Sequence, residues 1–121
     1  MSSYSPDIVL EEMRDNIRRA LDWVGVQTAA QLAADERTLY AVVRCLEIVS
    51  EASRRLPDDV KLRHPSIPWR NVADAGNAYR HVYHDIDPQI IWSTVALSLP
   101  TLLAVIEAEL ASGPASTKEK P

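Results

Sequence analysis

Apolar residues recur along this chain at helical spacing from near its start to residue 110. Ser5-Pro6-Asp7 reads as a helix start: Ser5 as N-cap, Pro6 at the first helical position, Asp7 at the positive helix end. Leu10, Met13, Ile17, Leu21 and Val24 follow on one face, up to Gly25 as a C-cap. Thr28 opens a short helical piece. A longer helix is predicted from about Asp35 to Leu56, with Leu39, Val42, Val43, Leu46, Val49 and Ala52 on its apolar face and Pro57 as its stop.

The connection PDDVKLRHPSIP is polar, carries three prolines and reads as a loop. Pro68 opens a third helix, PWRNVADAGNAYRHVYH, and Asp87-Pro88 repeats the cap-plus-proline device before PQIIWSTVALSLPTLLAVIEAEL. Pro100 falls inside that last pattern. It is expected to kink the helix without ending it, because apolar spacing resumes at Leu102, Leu103 and Ile106. The segment 112–121 has no apolar face and is expected to be a disordered tail. No segment has strand periodicity and no internal repeat is present. The expected fold is all-α, an antiparallel bundle of four main helices with a kinked last helix, in one domain over 1–111.

The length of 121 residues supports one domain with a core. Three glycines leave no material for a Gly-rich phosphate loop, and neither a Walker loop nor a dinucleotide fingerprint is present. A single cysteine, Cys45, excludes an internal disulfide and a multi-cysteine zinc site. It lies in an apolar helical run and reads as a core residue. The N-terminus lacks a secretory pattern, and no apolar run is read as approaching 18 residues, so a cytoplasmic protein without a membrane partner is expected.

The net charge is −4, but its distribution is uneven. Between Arg54 and His84, six basic residues (Arg54, Arg55, Lys61, Arg63, Arg70, Arg80) face three acids (Asp58, Asp59, Asp74), and all three histidines lie there. Such a segment is either a solvated face or an anion-binding cleft in an otherwise acidic protein. Trp69 and Trp92, just inside two helix starts, read as core or interface residues.

The densest chemistry is RHVYHDIDP at 80–88. His81 lies four residues after Asn77, and Arg80 four before His84. Because Asp87-Pro88 restarts a helix soon afterwards, the His81-x-Tyr83 pair is expected to straddle a helix C-terminus. That negative helix end would favour a protonated histidine suited to acid/base work, with Arg80 stabilising charge on a phosphate. A metal reading would use His81-x-x-His84 with Asp85 and Asp87, but lacks a further histidine or cysteine. Helix capping and surface polarity form the third reading.

The blocks TLYAVVRCLEIVSEASRRLP, HPSIPWRNVADAGN, RHVYHDIDPQIIW and LPTLLAVIEAEL occur in the order and spacing of the HepT-like family of HEPN proteins. The resemblance covers roughly Pro6 to Leu110, and its signature is Arg-x(4–6)-His-x-Tyr. It implies a small α-helical homodimer that acts as the toxin of a type VII two-gene toxin–antitoxin module and cleaves RNA without a metal or other cofactor. It also implies an MntA-like nucleotidyltransferase partner that neutralises the toxin by transferring AMP to the motif tyrosine.

By this resemblance His81 is the motif histidine, Tyr83 the motif tyrosine and Asn77 the motif asparagine. The motif arginine would fall at 76, where this sequence has Gly76. Arg80 is the expected substitute, with Arg70 and His84 as further supporting candidates. A family block commonly reading Gly-Glu-Ala is here Ser50-Glu51-Ala52. Glu51 is expected either to hold an arginine or histidine in place or to form a surface ion pair. Gly76 also leaves a second expectation open: a catalytically weak homologue that binds or regulates its nucleotidyltransferase partner.

Overall fold

The computed structural model describes residues 5–81 and 86–118, with side chains at 5–76 and 86–112. Among the described residues the chain is all-helical: α1 (Pro6–Val24), α2 (Ala29–Ala34), α3 (Glu36–Ser53), α4 (Asp58–Arg63), α5 (Trp69–His81), α6 (Pro88–Ser93) and α7 (Leu99–Lys118). A π-helical stretch, Thr94–Ser98, joins α6 to α7. The main helices are α1, α3, α5 and the α6–α7 unit, as the hydrophobic spacing predicts. Helix α1 packs against α3 and α7, α5 packs against α3, and α2 lies against α6.

The ends of α1 form for the reasons legible in its sequence. The Ile8 N–H donates to Ser5 Oγ at 3.4 Å, Pro6 occupies the first turn, and Gly25 closes the helix at φ 55. Only glycine adopts that φ without strain. Val9, Leu10, Met13, Ile17, Ala20 and Val24 are all buried, a stripe with the i, i+3/i+4 spacing of one helix face. Each large side chain in it stabilises the fold by about 1.5–3 kcal/mol. Helix α2 starts with a reciprocal cap between Thr28 and Gln31. Asp35 caps α3 by accepting the Thr38 N–H at 3.2 Å. Hydrogen bonds to Asp35 from the Thr38 and Gln27 side chains, and from the Thr38 backbone, hold its carboxyl below the usual aspartate range.

The expected loop after Pro57 contains the short helix α4. Asp58 and Asp59 lie in its first turn and Lys61 and Arg63 in its last, so both ends complement the helix dipole. Val60 anchors it in the interior. The proline count was misleading because Pro57 sits outside the helix and Pro65 after it. Trp69 and Trp92 are partly buried, as expected. Trp69 Nε1 donates to the carbonyls of Lys61 and His64, and Trp92 Nε1 donates to that of Gln27.

The final helix continues through Pro100. Proline lacks an N–H, and its ring crowds the carbonyl four residues earlier, on Ala96. The turn ahead of it widens: the Leu99 N–H reaches back five residues to the Thr94 carbonyl. The backbone is helical to Lys118. Propagation of an existing helix adds one hydrogen bond per residue, so loss of the apolar face does not by itself end it.

The expectation about apolar length requires correction. Pro88–Ser112 is one helical stretch with mean hydropathy 1.8 over its most apolar window, long and apolar enough by those measures to cross a membrane. No charged residue occurs from Pro88 to Ile106, a run obscured by its interspersed serines and threonines. Ile91, Val95, Leu99, Leu102 and Ile106 from this stretch are buried in the common core.

Candidate functional site

Helix α5 carries Asn77, Arg80 and His81 in consecutive turns, and its backbone is described through His81. Their side chains, and all of Tyr83, His84 and Asp85, lie outside the described residues. The site is therefore built from what holds α5. Arg70, exposed in the first turn of α5, is eleven positions before His81. At about 1.5 Å per residue it is roughly 16 Å away along the axis, at the other end of the helix.

The seam between α3 and α5 is polar at one level. Ser50, 2% exposed, donates through Oγ to the Ala73 carbonyl at 2.9 Å and accepts the Gly76 N–H at 2.9 Å. Ser53 Oγ in turn donates to the Ser50 carbonyl at 2.7 Å. Arg54, one turn after Ser50 on α3, donates from Nη2 to the same Ala73 carbonyl at 2.7 Å. Gly76 is buried. Positions 50 and 76 are thus in direct contact. A hydroxyl at 50 meets the backbone N–H at 76.

Glu51, about half exposed, pairs with two arginines. It accepts from Arg54 Nη1 at 3.3 Å and pairs with Arg55 Nη1 at 3.6 Å, while Arg55 also pairs with Glu12 on α1. At the far end of the bundle, Arg63 forms a two-pronged pair with Glu109, at 3.0 Å from Nε and 2.8 Å from Nη2. His64 Nε2 lies 2.7 Å from the same carboxylate. The Arg63 hydrogen bond, aided by that of His64, holds the buried Glu109 carboxyl below the usual glutamate range against the opposing effect of burial. The basic segment is therefore less uniformly positive than its sequence: Arg54, Arg55 and Arg63 each carry a carboxylate partner, some from distant helices.

Among the described residues no cluster of three or more His, Cys, Asp or Glu could hold a metal. The His81-x-x-His84 grouping falls largely outside them. Beside the α3–α5 seam lies a mostly apolar groove of about 360 Å³, whose walls include Leu46, Val49, Val72, Ala75, Leu99 and Leu102. Near it the α6–α7 unit exposes Ile90 (57%) and Leu97 (70%).

Sequence reading named Ser50 and Arg54 without their contacts to α5, and the available signal was their i, i+4 spacing.

The family model described as ribonuclease HepT-like matches residues 13–109. A probable ribonuclease HepT from Thermococcus cleftensis is 41% identical over 73 residues, which cover 60% of this chain and 66% of that protein. A candidate RNase from Methanocaldococcus jannaschii is 31% identical over 98 residues, 81% of each chain. A second from the same organism is 35% identical over 63 residues, 52% of each. The match thus spans just under two thirds of the Thermococcus protein's length and about half of the second Methanocaldococcus protein's. No solved structure matches the chain.

Proposed function

The chain belongs to the HepT-like ribonuclease family, and from that premise we propose that it cleaves RNA without a metal ion, as the toxin of a two-gene module. The observation that carries this reading is the family match across 13–109, which includes the α5 segment bearing Asn77, Arg80 and His81. In the proposed reaction the His81 imidazole removes the proton of a ribose 2′-hydroxyl. The 2′-oxygen bonds to the adjacent phosphorus and the bond to the 5′-oxygen breaks. That oxygen leaves with the proton returned by the imidazole, giving a 2′,3′-cyclic phosphate and a 5′-hydroxyl. Arg80 stabilises the phosphate charge, and Asn77 orients the site one turn earlier.

The working unit is a homodimer in the cytoplasm. The apolar groove beside α5, with Ile90 and Leu97 exposed near it, supports pairing with a second copy, which would bring two α5 motifs toward one RNA-binding cleft. An MntA-like nucleotidyltransferase neutralises the toxin by placing AMP on Tyr83, adding negative charge where RNA phosphates must bind.

The test is controlled expression without the partner, scoring growth and RNA integrity for wild type and His81→Ala, with cleavage assayed in a chelator. Cleavage that persists in the chelator and is abolished in a folded His81→Ala protein is the expected result. Cleavage that requires an added divalent ion refutes the metal-free mechanism. Gly76 in place of the motif arginine favours one second reading: a catalytically weak member that kept its partner. Wild type that never cleaves RNA, while still binding the nucleotidyltransferase, selects that reading.

A further inference from the structure

We propose that Arg54, the C-cap residue of α3, supplies the phosphate-binding guanidinium at the level of α5 where position 76 carries no side chain. The inference rests on the ribonuclease reading and adds a catalytic residue to it. A helix carbonyl points toward the N–H four residues later, so the Ala73 oxygen lies at the level of Gly76 and Asn77. The Arg54 Nη2 sits 2.7 Å from that oxygen. Its guanidinium is thus one turn, about 5.4 Å along the axis, below Arg80 and His81. Helical periodicity also places residues 73, 77 and 80 within about 60° of one another, on a single stripe of α5. Arg54 therefore delivers its charge to the stripe that carries Asn77 and Arg80.

Three features make this placement suited to a phosphate. Glu51 at 3.3 Å and the Ala73 carbonyl fix the guanidinium from two sides, so binding does not have to order a long side chain. The Arg54 side chain is 35% exposed, leaving an approach from solvent. A guanidinium has five N–H donors in a planar fork and can hold protein partners and phosphate oxygens together. Ser50 ties α3 to α5 at this level through the Ala73 carbonyl and the Gly76 N–H, which brings Arg54 close to α5. Charge from the neighbouring helix thereby replaces charge from α5 itself.

The test compares Arg54→Gln, Arg54→Lys and Arg44→Gln in the full-length chain. Glutamine keeps a polar side chain but carries no charge, and Arg54→Lys keeps the charge without the fork, which together separate a chemical role from a structural one. Arg44 lies on the same helix, pairs with Glu47 and is 71% exposed, so its variant controls for net charge. With melting temperatures matched, Arg54→Gln is expected to lower kcat for RNA cleavage by about 10²–10³, the loss typical of removing one charge-stabilising donor. Arg54→Lys should recover part of it and Arg44→Gln should lose almost nothing. Cleavage by Arg54→Gln at the wild-type rate overturns the proposal.

A binding measurement decides the question even if wild type cleaves nothing, which would count against the ribonuclease reading alone. Fluorescence anisotropy with a 2′-deoxy-substituted RNA oligonucleotide should show at least about tenfold weaker binding for Arg54→Gln than for Arg44→Gln. Equal affinities of those two variants overturn the assignment of Arg54.

Discussion

The contact between Ser50 and Gly76 predicts that a long side chain cannot simply be added at position 76. Gly76 is buried, with its N–H 2.9 Å from an almost fully buried hydroxyl, so a side chain added there has to find room in a packed seam between α3 and α5. Overpacking of this kind costs about 1–3 kcal/mol. Replacing glycine inside a helix returns up to about 1 kcal/mol, so Gly76→Arg should be destabilised by roughly 0–2 kcal/mol. Ser50→Gly loses two hydrogen bonds to the α5 backbone, each about 1 kcal/mol net, and adds a helix glycine. Its cost should be about 2–3 kcal/mol.

In the double variant the space left by Ser50 admits the new side chain, so the costs should not add. A coupling of about 1–2 kcal/mol in favour of the pair is expected, the size seen for residues in direct contact. Urea unfolding of the four proteins, followed by circular dichroism with m-values held equal, measures it. If the two single costs add to within about 0.5 kcal/mol, the positions are independent and the steric argument fails. A Gly76→Arg protein more stable than wild type would refute it equally.

Two further outcomes follow from the same structure and a third from the proposed function. Because the folded Glu109 carboxyl is held below its usual range, its contribution is complete above the unfolded glutamate pKa, about 4.3, and is lost as pH falls through the lower folded value. Glu109→Gln should therefore be destabilised at neutral pH by about 1–3 kcal/mol and be less acid-sensitive than wild type, and parallel urea curves from pH 7 to pH 3 check the sign. Cys45 is 3% exposed and burial pushes its thiol pKa up, so iodoacetamide should label it at neutral pH only after denaturation. Incubation with a partner nucleotidyltransferase, ATP and magnesium should place AMP on Tyr83 by mass spectrometry; an adduct confined to Tyr40, which is 55% exposed, would reassign the target.

What the sequence disclosed depended on how local each feature was. The ends of α1 and α2 and the Asp87 cap before Pro88 are written in adjacent residues, and the helices begin there. Helix α4 was missed because its support is one buried valine and a charge pattern spanning six residues, too short for periodicity to register. The uncharged run Pro88–Ile106 was underestimated for the opposite reason: its serines and threonines broke the apparent apolar pattern without adding charge. Asn77, Arg80 and His81 fall on one helix, as their spacing required. What braces that helix was not legible, because Ser50 and Ala73 are 23 positions apart and meet only when α3 and α5 pack.

The same separation governs the charges. Counted along the chain, residues 54–84 form a positive block, which reads as a solvated face or an anion-binding cleft. Counted in space, Glu12 reaches Arg55 from α1, Glu51 reaches Arg54 and Arg55 within α3, and Glu109 reaches Arg63 from α7. Those acids do different work according to exposure. Glu109 is buried, and its pairing fastens α4 to the end of the bundle, far from the motif histidine in sequence and on another helix. Glu51 is half exposed, at 52%, and at such a surface a carboxylate removes little of the attraction that a guanidinium exerts on a phosphate. Its larger effect is to hold Arg54 in one orientation. An acid that weakens the net field can thus sharpen a binding site, because the energy of a charge-assisted hydrogen bond depends on where the donor is held as much as on the total charge nearby.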